Sequence, residues 1–134
     1  MRRIIGLLAV AAAAGTAAAL TRRLTTYEIA DHSMEPGLRP GDWVLGLRCR
    51  SVRRGQVVVF DHPRRPGFAM VKRVAAQPGE QAGGATLGPG EMWVLGDNPA
   101  AGSVDSRVLG AIPDTLLHTR LLLRYRPGPP ARVR

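Results

Sequence analysis

The architecture predicted from this sequence is mostly β: a small antiparallel β-barrel or folded sheet behind one N-terminal transmembrane helix. Three observations lead there. Short apolar runs bounded by Gly, Pro and Asp recur at 42–49, 56–60, 68–76, 91–96 and 119–126, the signature of short strands joined by turns. A long apolar run stands at the start of the chain. The stretch 25–126, roughly 100 residues, is enough to bury one modest core.

The elements follow in order. Residues 4–20, IIGLLAVAAAAGTAAAL, are uncharged and lie between Arg2–Arg3 and Arg22–Arg23. As a helix at about 1.5 Å per residue they span roughly 25 Å, slightly short of a ~30 Å hydrocarbon core, and snorkelling arginines and Leu24 can close that gap. Residues 1–24 are therefore read as a single membrane anchor in contact with lipid through 4–20. A cleavable signal peptide, with small residues at Ala17-Ala18-Ala19, is the competing reading. Arginine pairs at both ends leave the orientation open. The last strand alternates Leu121, Leu123 and Tyr125 against Arg120, Arg124 and Arg126, which suits a half-buried position. PDTLLH (113–118) reads as a turn of helix starting near Pro113 or Asp114. Residues 77–90 read as a flexible connection, and 127–134, PGPPARVR, as a disordered basic tail.

Composition excludes several functions. The formal charge of +9 favours anionic or acidic partners, but it is spread along the chain. Two Phe, two Tyr and two Trp are poor material for stacking bases, so no nucleic-acid partner is expected. Cys49 is the only cysteine, so no internal disulfide can form. His32, His62 and His118 are far apart, no His/Cys group has metal-ligand spacing, and neither metal nor cofactor is expected.

Two places carry chemistry. Asp31, His32 and Ser33 are adjacent and include the residue types of a hydrolase triad. Neighbouring side chains in an extended chain point to opposite faces, and triads are assembled in space from distant segments. A reactive Ser33 therefore needs a base from elsewhere. Among 19 basic residues the only lysine is Lys72. In FAMVKRVAA, residues two apart share a face, so Lys72 lies with Phe68, Met70 and Val74, while Arg73 can point to solvent with Ala69, Val71 and Ala75. Burial among such neighbours lowers an amine's pKa and fits it to take a serine proton. The alternative is a lysine whose stem packs and whose head snorkels to water.

Four segments resemble the type I signal peptidases, the Ser/Lys-dyad serine peptidases. HSMEPGLRPGDWV resembles their nucleophile segment, RRGQVVVFDHP the strand that follows, MVKRVAAQPGE their lysine segment, and GDNPAAGSVDSRVLG their Gly-Asp-Asn…Ser-x-Asp-Ser-Arg segment. The matches occur in the family's order over about residues 29–112. The resemblance implies Ser33 as nucleophile and Lys72 as general base, with Met34 packed beside them. It implies that Ser103 orients the lysine and that Asp97, Asp105 and Arg107 brace the site, Arg107 pairing with one of the two carboxylates. It also implies a precursor polypeptide bound as an extended strand and cut after small residues, by a single-pass protein of the cytoplasmic membrane with its catalytic domain outside.

The sequence departs from the family in three ways. Asp31 stands where a Ser or Gly is usual, so it must either turn away from the developing oxyanion, leaving mainly the Ser33 backbone N–H as donor, or be protonated. Four residues, 99–102, precede Ser103 where three are usual. The large second domain of some members is absent, with 77–90 in its place. Besides signal-peptide processing, two other functions fit the pattern: dedicated maturation of one precursor, such as nickel-type superoxide dismutase, and an inactive family member serving as a basic membrane-surface module.

Overall fold

The computed structural model describes residues 15–134. Residues 15–21 are helical, and ten strands follow. They are β1 (Leu24–Glu28), β2 (Trp43–Arg48), β3 (Val57–Asp61), β4 (Ala69–Ala76), β5 (Gln81–Ala82), β6 (Ala85–Thr86), β7 (Glu91–Leu95), β8 (Ile112–Pro113), β9 (Leu117–Arg126) and β10 (Ala131–Arg132). One antiparallel sheet runs β1-β2-β9-β3-β4-β7-β8, with β10 added to β9. β5 and β6 form a separate small hairpin.

The five apolar runs are the strands of the centre, β2, β3, β4, β7 and β9. VVVF is continuously apolar because both faces of β3 are covered. Val58 and Phe60 enter one core with Met70, Val74, Met92, Val94, Ile112 and Leu117. Val57 and Val59 enter a second with Ile29, Met34, Leu38, Val44 and Leu121. Bulges in the β2–β9, β3–β9 and β4–β7 ladders bend the sheet, as two cores on opposite faces require.

Several expectations need correcting. The sheet is folded but is not a closed barrel: among the described strands β1 and β8 end the order and do not pair with each other. β8 has two residues, one of them Pro113, which has no N–H to carry a ladder further. β1 itself, LTTYE, has too little apolar alternation to be read as a strand, and it forms by pairing all five residues with β2. The helix at 113–118 shrinks to a 3₁₀ turn, Asp114–Leu116, with β9 beginning at Leu117. The 77–90 connection contains the β5–β6 hairpin, where Gly83 has φ +59° and lies so close beneath the Trp93 ring that a Cβ would clash.

The tail is docked, not disordered. Ala131 and Arg132 pair with Arg124 and Leu123, Val133 packs on the second core, and the Val133 N–H donates to the Leu122 carbonyl. An extended segment at a free sheet edge gains backbone hydrogen bonds that its composition does not reveal. The anchor over 1–24 falls mostly outside the described residues. Among those described, no helix is long and apolar enough to cross a membrane.

Candidate active site

Ser33 lies in the loop joining β1 to β2. The loop is closed at its base by Ile29 N–H to the Asp42 carbonyl and Gly41 N–H to the Ile29 carbonyl, 2.8 Å each. Ile29, Met34 and Leu38 anchor it in the second core, which leaves Ser33 1% exposed. The loop is also tied to the segment after β7. Asn98 N–H donates to the Ser33 carbonyl at 2.9 Å, and its Nδ2 donates to the His32 carbonyl at 3.0 Å. A Cβ on Gly96 would stand 3.0 Å from the Ser33 carbonyl oxygen, a backbone atom with little room to give. Only glycine lets the end of β7 approach this loop so closely.

Lys72 sits on β4 with Met70, Val74 and Ala76 on the same buried face, and is 1% exposed. Its Nζ donates to Ser33 Oγ at 2.8 Å, across 39 positions of sequence. Burial pulls the amine below its ordinary pKa, and the charges of Asp31 and Asp105 partly oppose that pull. This settles the orientation left open by the strand pattern: the head is buried and does not snorkel. Phe68 is not among the neighbours that bury it. It precedes β4, is exposed, and stands under the Arg65 guanidinium, 4.2 Å from the ring centroid. His32 is exposed and bonded through Nδ1 to Glu35 Oε1 at 2.9 Å, so the adjacent histidine is engaged elsewhere.

The remaining predicted residues divide. Asp105 is buried and pairs with Arg107, whose NH2 donates at 2.7 Å and Nε at 3.1 Å. It also caps the single-turn helix Ser106–Leu109 through the Arg107 N–H and accepts from Gly96 N–H at 3.2 Å. The hydrogen bonds from Arg107 outweigh burial and hold the Asp105 carboxyl below its usual pKa. Asp97 takes a different partner: Arg73 Nε and NH2 hold its two oxygens at 2.8 and 2.7 Å. Arg73 was expected in solvent. Instead its fork bridges Asp97, the Gly55 carbonyl and the Arg134 carbonyl. Ser103 lines the same cleft as Lys72, yet among the described residues the hydrogen bond of Nζ goes to Ser33 and not to Ser103. The extra residue before Ser103 is absorbed by a 3₁₀ turn, Pro99–Ala101, closed by Gly102 at φ 62°.

Asp31 does not turn away. Its Oδ1 accepts from Ser33 Oγ at 2.7 Å and from Ser33 N–H at 3.0 Å. Partial burial pushes the carboxyl up, but these bonds and the charges of Lys72 and His32 bring it below the usual range. Three contributors escaped the sequence reading: Gly96, Asn98 and Ser106. Ser106 is fully buried, and its Oγ accepts the Val94 N–H at 2.9 Å, fixing the helix to β7. The signal available for it was only its place in Asp-Ser-Arg.

A cleft of about 390 Å³ reaches Lys72, lined by Tyr27 to Asp31 on one side and Phe68 to Lys72 on the other, and Ser33 lines an adjoining hollow that shares Asp31 and Ser103 with it. β7 pairs with β4 only from Arg73 onward, so no described strand pairs with the opposite edge of 69–72. The description "Signal peptidase, peptidase S26" matches residues 1–84, which include both Ser33 and Lys72.

The chain belongs to the signal peptidase S26 family.

Its relatives include mitochondrial inner membrane protease subunit 1 of Xenopus tropicalis, 29% identical over 109 residues, covering 71% of this chain and 65% of the relative. Mitochondrial ATP-independent inner membrane protease subunit 1a of Arabidopsis thaliana is 31% identical over 121 residues, covering 78% and 71%. The Schizosaccharomyces pombe subunit 1 is 32% identical over 111 residues, covering 72% and 70%. This S26 chain thus spans about two thirds of the length of the curated relatives it matches. Among its described residues no group of His, Cys, Asp and Glu could hold a metal ion.

Proposed function

We propose that the protein is a membrane-associated serine endopeptidase that removes N-terminal leader segments from precursor polypeptides, with Ser33 as nucleophile and Lys72 as general base. The observation that carries this is the 2.8 Å contact between a buried amine and a buried hydroxyl. The relatives' names, all inner membrane proteases, support the membrane setting, and residues 4–20 are the proposed attachment.

A substrate strand enters the cleft and pairs with the free edge of β4. Neutral Lys72 Nζ takes the Ser33 Oγ proton as Oγ bonds to the scissile carbonyl carbon. The tetrahedral intermediate collapses, the C–N bond breaks, and the Lys72 ammonium returns the proton to the leaving amine. Water then attacks the acyl ester. Lys72 accepts its proton and passes one back to Oγ as the acid product leaves. Asp97, Asp105, Arg107, Met34 and Ser103 are assigned no chemical step. Their role is to hold the two loops that meet at Ser33 and to keep the amine dry.

The test is cleavage of a precursor with an Ala-x-Ala site by purified full-length protein. Wild type should cut, whereas Ser33→Ala and Lys72→Arg should not, because arginine cannot deprotonate. Retained cleavage by Lys72→Arg removes the proposed base. No cleavage by any form favours the inactive, membrane-surface role.

A further inference from the structure

The geometry around Asp31 points to a residue that works against the resting site. We propose that the Asp31 carboxylate is a latch: it occupies the backbone donor that the substrate's developing oxyanion needs, and it must swing out before Ser33 can react. This inference rests on the Ser33/Lys72 reading given above.

A nucleophilic serine's own N–H is the donor best placed for the oxyanion formed on the carbonyl it attacks. Here that N–H is taken by Asp31 Oδ1 at 3.0 Å, and the same oxygen takes the Ser33 O–H at 2.7 Å. The hydroxyl proton therefore points at Asp31, not at the amine that is to receive it. Lys72 Nζ is left as donor to Oγ, which is the wrong direction for a base. The chain Lys72–Ser33–Asp31 is a hydroxyl-bridged pair of opposite charges, and it favours the protonated, unreactive amine.

The charged groups around Lys72 are Asp31, from the nucleophile loop, and Asp105, from the segment before the single-turn helix. Asp105 is already paired with Arg107, while Asp31 faces Lys72 and His32. Asp31 is thus the carboxylate whose removal most relieves the amine. The latch can open. Asp31 is exposed although Ser33 and Met34 beside it are buried, so rotation about its Cα–Cβ bond carries the carboxylate into solvent without disturbing either core. A substrate carbonyl entering the cleft would displace it by competing for the same N–H.

The experiment compares full-length wild type with Asp31→Gly and Asp31→Asn, with Ser33→Ala as control, on the same Ala-x-Ala precursor. Because Lys72 is the only lysine, ¹³C-lysine labelling gives one side-chain signal whose titration reports this amine directly. Asp31→Gly should raise kcat about tenfold or more, out of the hundredfold or more that an oxyanion donor commonly contributes, and should move the acid limb of the profile to lower pH. Asp31→Asn removes the charge but keeps an oxygen that can accept the N–H. It should lower the pH at which Lys72 titrates with a smaller gain in kcat. Asp31→Gly no faster than wild type, or Lys72 titrating at an unchanged pH in Asp31→Asn, overturns the latch. Should the glycine variant not fold, the asparagine titration alone decides. If Ser33→Ala cuts as well as wild type, it is the underlying peptidase reading that fails. If neither wild type nor Asp31→Gly cuts, both fail together.

Discussion

Lys72→Met should give a protein that is inactive and yet more stable. Methionine keeps the length of the side chain on β4 between Met70 and Val74 and removes the one amine that burial holds below its ordinary pKa of 10.5. Its partner Ser33 Oγ keeps a hydrogen bond to Asp31, so the substitution orphans no buried hydroxyl. Removing one partner of a hydrogen bond is costly when it leaves the other buried and unpaired; here Ser33 stays paired, and the desolvation penalty of the buried amine is removed with the substitution.

The size of the effect depends on pH. Below the native pKa of Lys72 both folded and unfolded chains hold the proton, and the native state bears the cost of a buried ammonium that Asp31 and Asp105 offset only in part. Between the native pKa and 10.5 the unfolded chain keeps its proton and the native chain has shed it, so wild-type stability climbs with pH. The limiting slope is about 1.4 kcal/mol per pH unit, and each kcal/mol is about 4–8 °C of Tm for a domain of ~100 residues. Lys72→Met has no such slope from this position. Urea unfolding of both proteins from pH 6 to 10 should show the variant's advantage largest at the acid end and shrinking upward. Parallel curves, or a variant less stable throughout, would mean the amine is solvated in the native state and the base assignment is unsound.

Two further outcomes are expected. Ser106→Ala leaves the buried Val94 N–H without its acceptor. It should lose about 1–3 kcal/mol of unfolding free energy, whereas alanine at exposed Ser51 should change it by less than about 0.5 kcal/mol. Val133→Asp puts a charge against the second core and should release the tail, so amide hydrogen exchange at residues 131–133, which pair with β9, should be faster than in wild type while the central strands keep their protection. An unchanged exchange rate would mean that the β9–β10 pairing contributes nothing in solution.

The central strands could be read from the sequence because burial on a sheet leaves a local imprint. β3 is apolar from Val57 to Phe60 as both its faces are covered there, and β4 alternates because one of its faces is. Lys72 could be placed on the buried face by that alternation alone, and the family resemblance named Ser33 as its partner. β1 and β10 left no such imprint. Leu24–Glu28 and Ala131–Arg132 become strands through backbone pairing with β2 and β9, and hydrogen-bonding edges carry no side-chain code. The partners of Arg73 and Asp97, 24 positions apart, were hidden for the same kind of reason: a guanidinium reads as solvated until a carboxylate is folded against it.

Sequence by itself determined which residue types are available for chemistry: one lysine, one serine in a glycine- and proline-bounded loop, and an aspartate two positions before it. Only the tertiary structure decided their relations. It brings Nζ within 2.8 Å of Oγ across 39 residues, it removes water from both, and it turns the Asp31 carboxylate onto Ser33 and not away. Alternation and composition act over neighbours in the chain, whereas desolvation and hydrogen bonding act over neighbours in space. Here those two sets meet only after β4 and the β1–β2 loop have packed together.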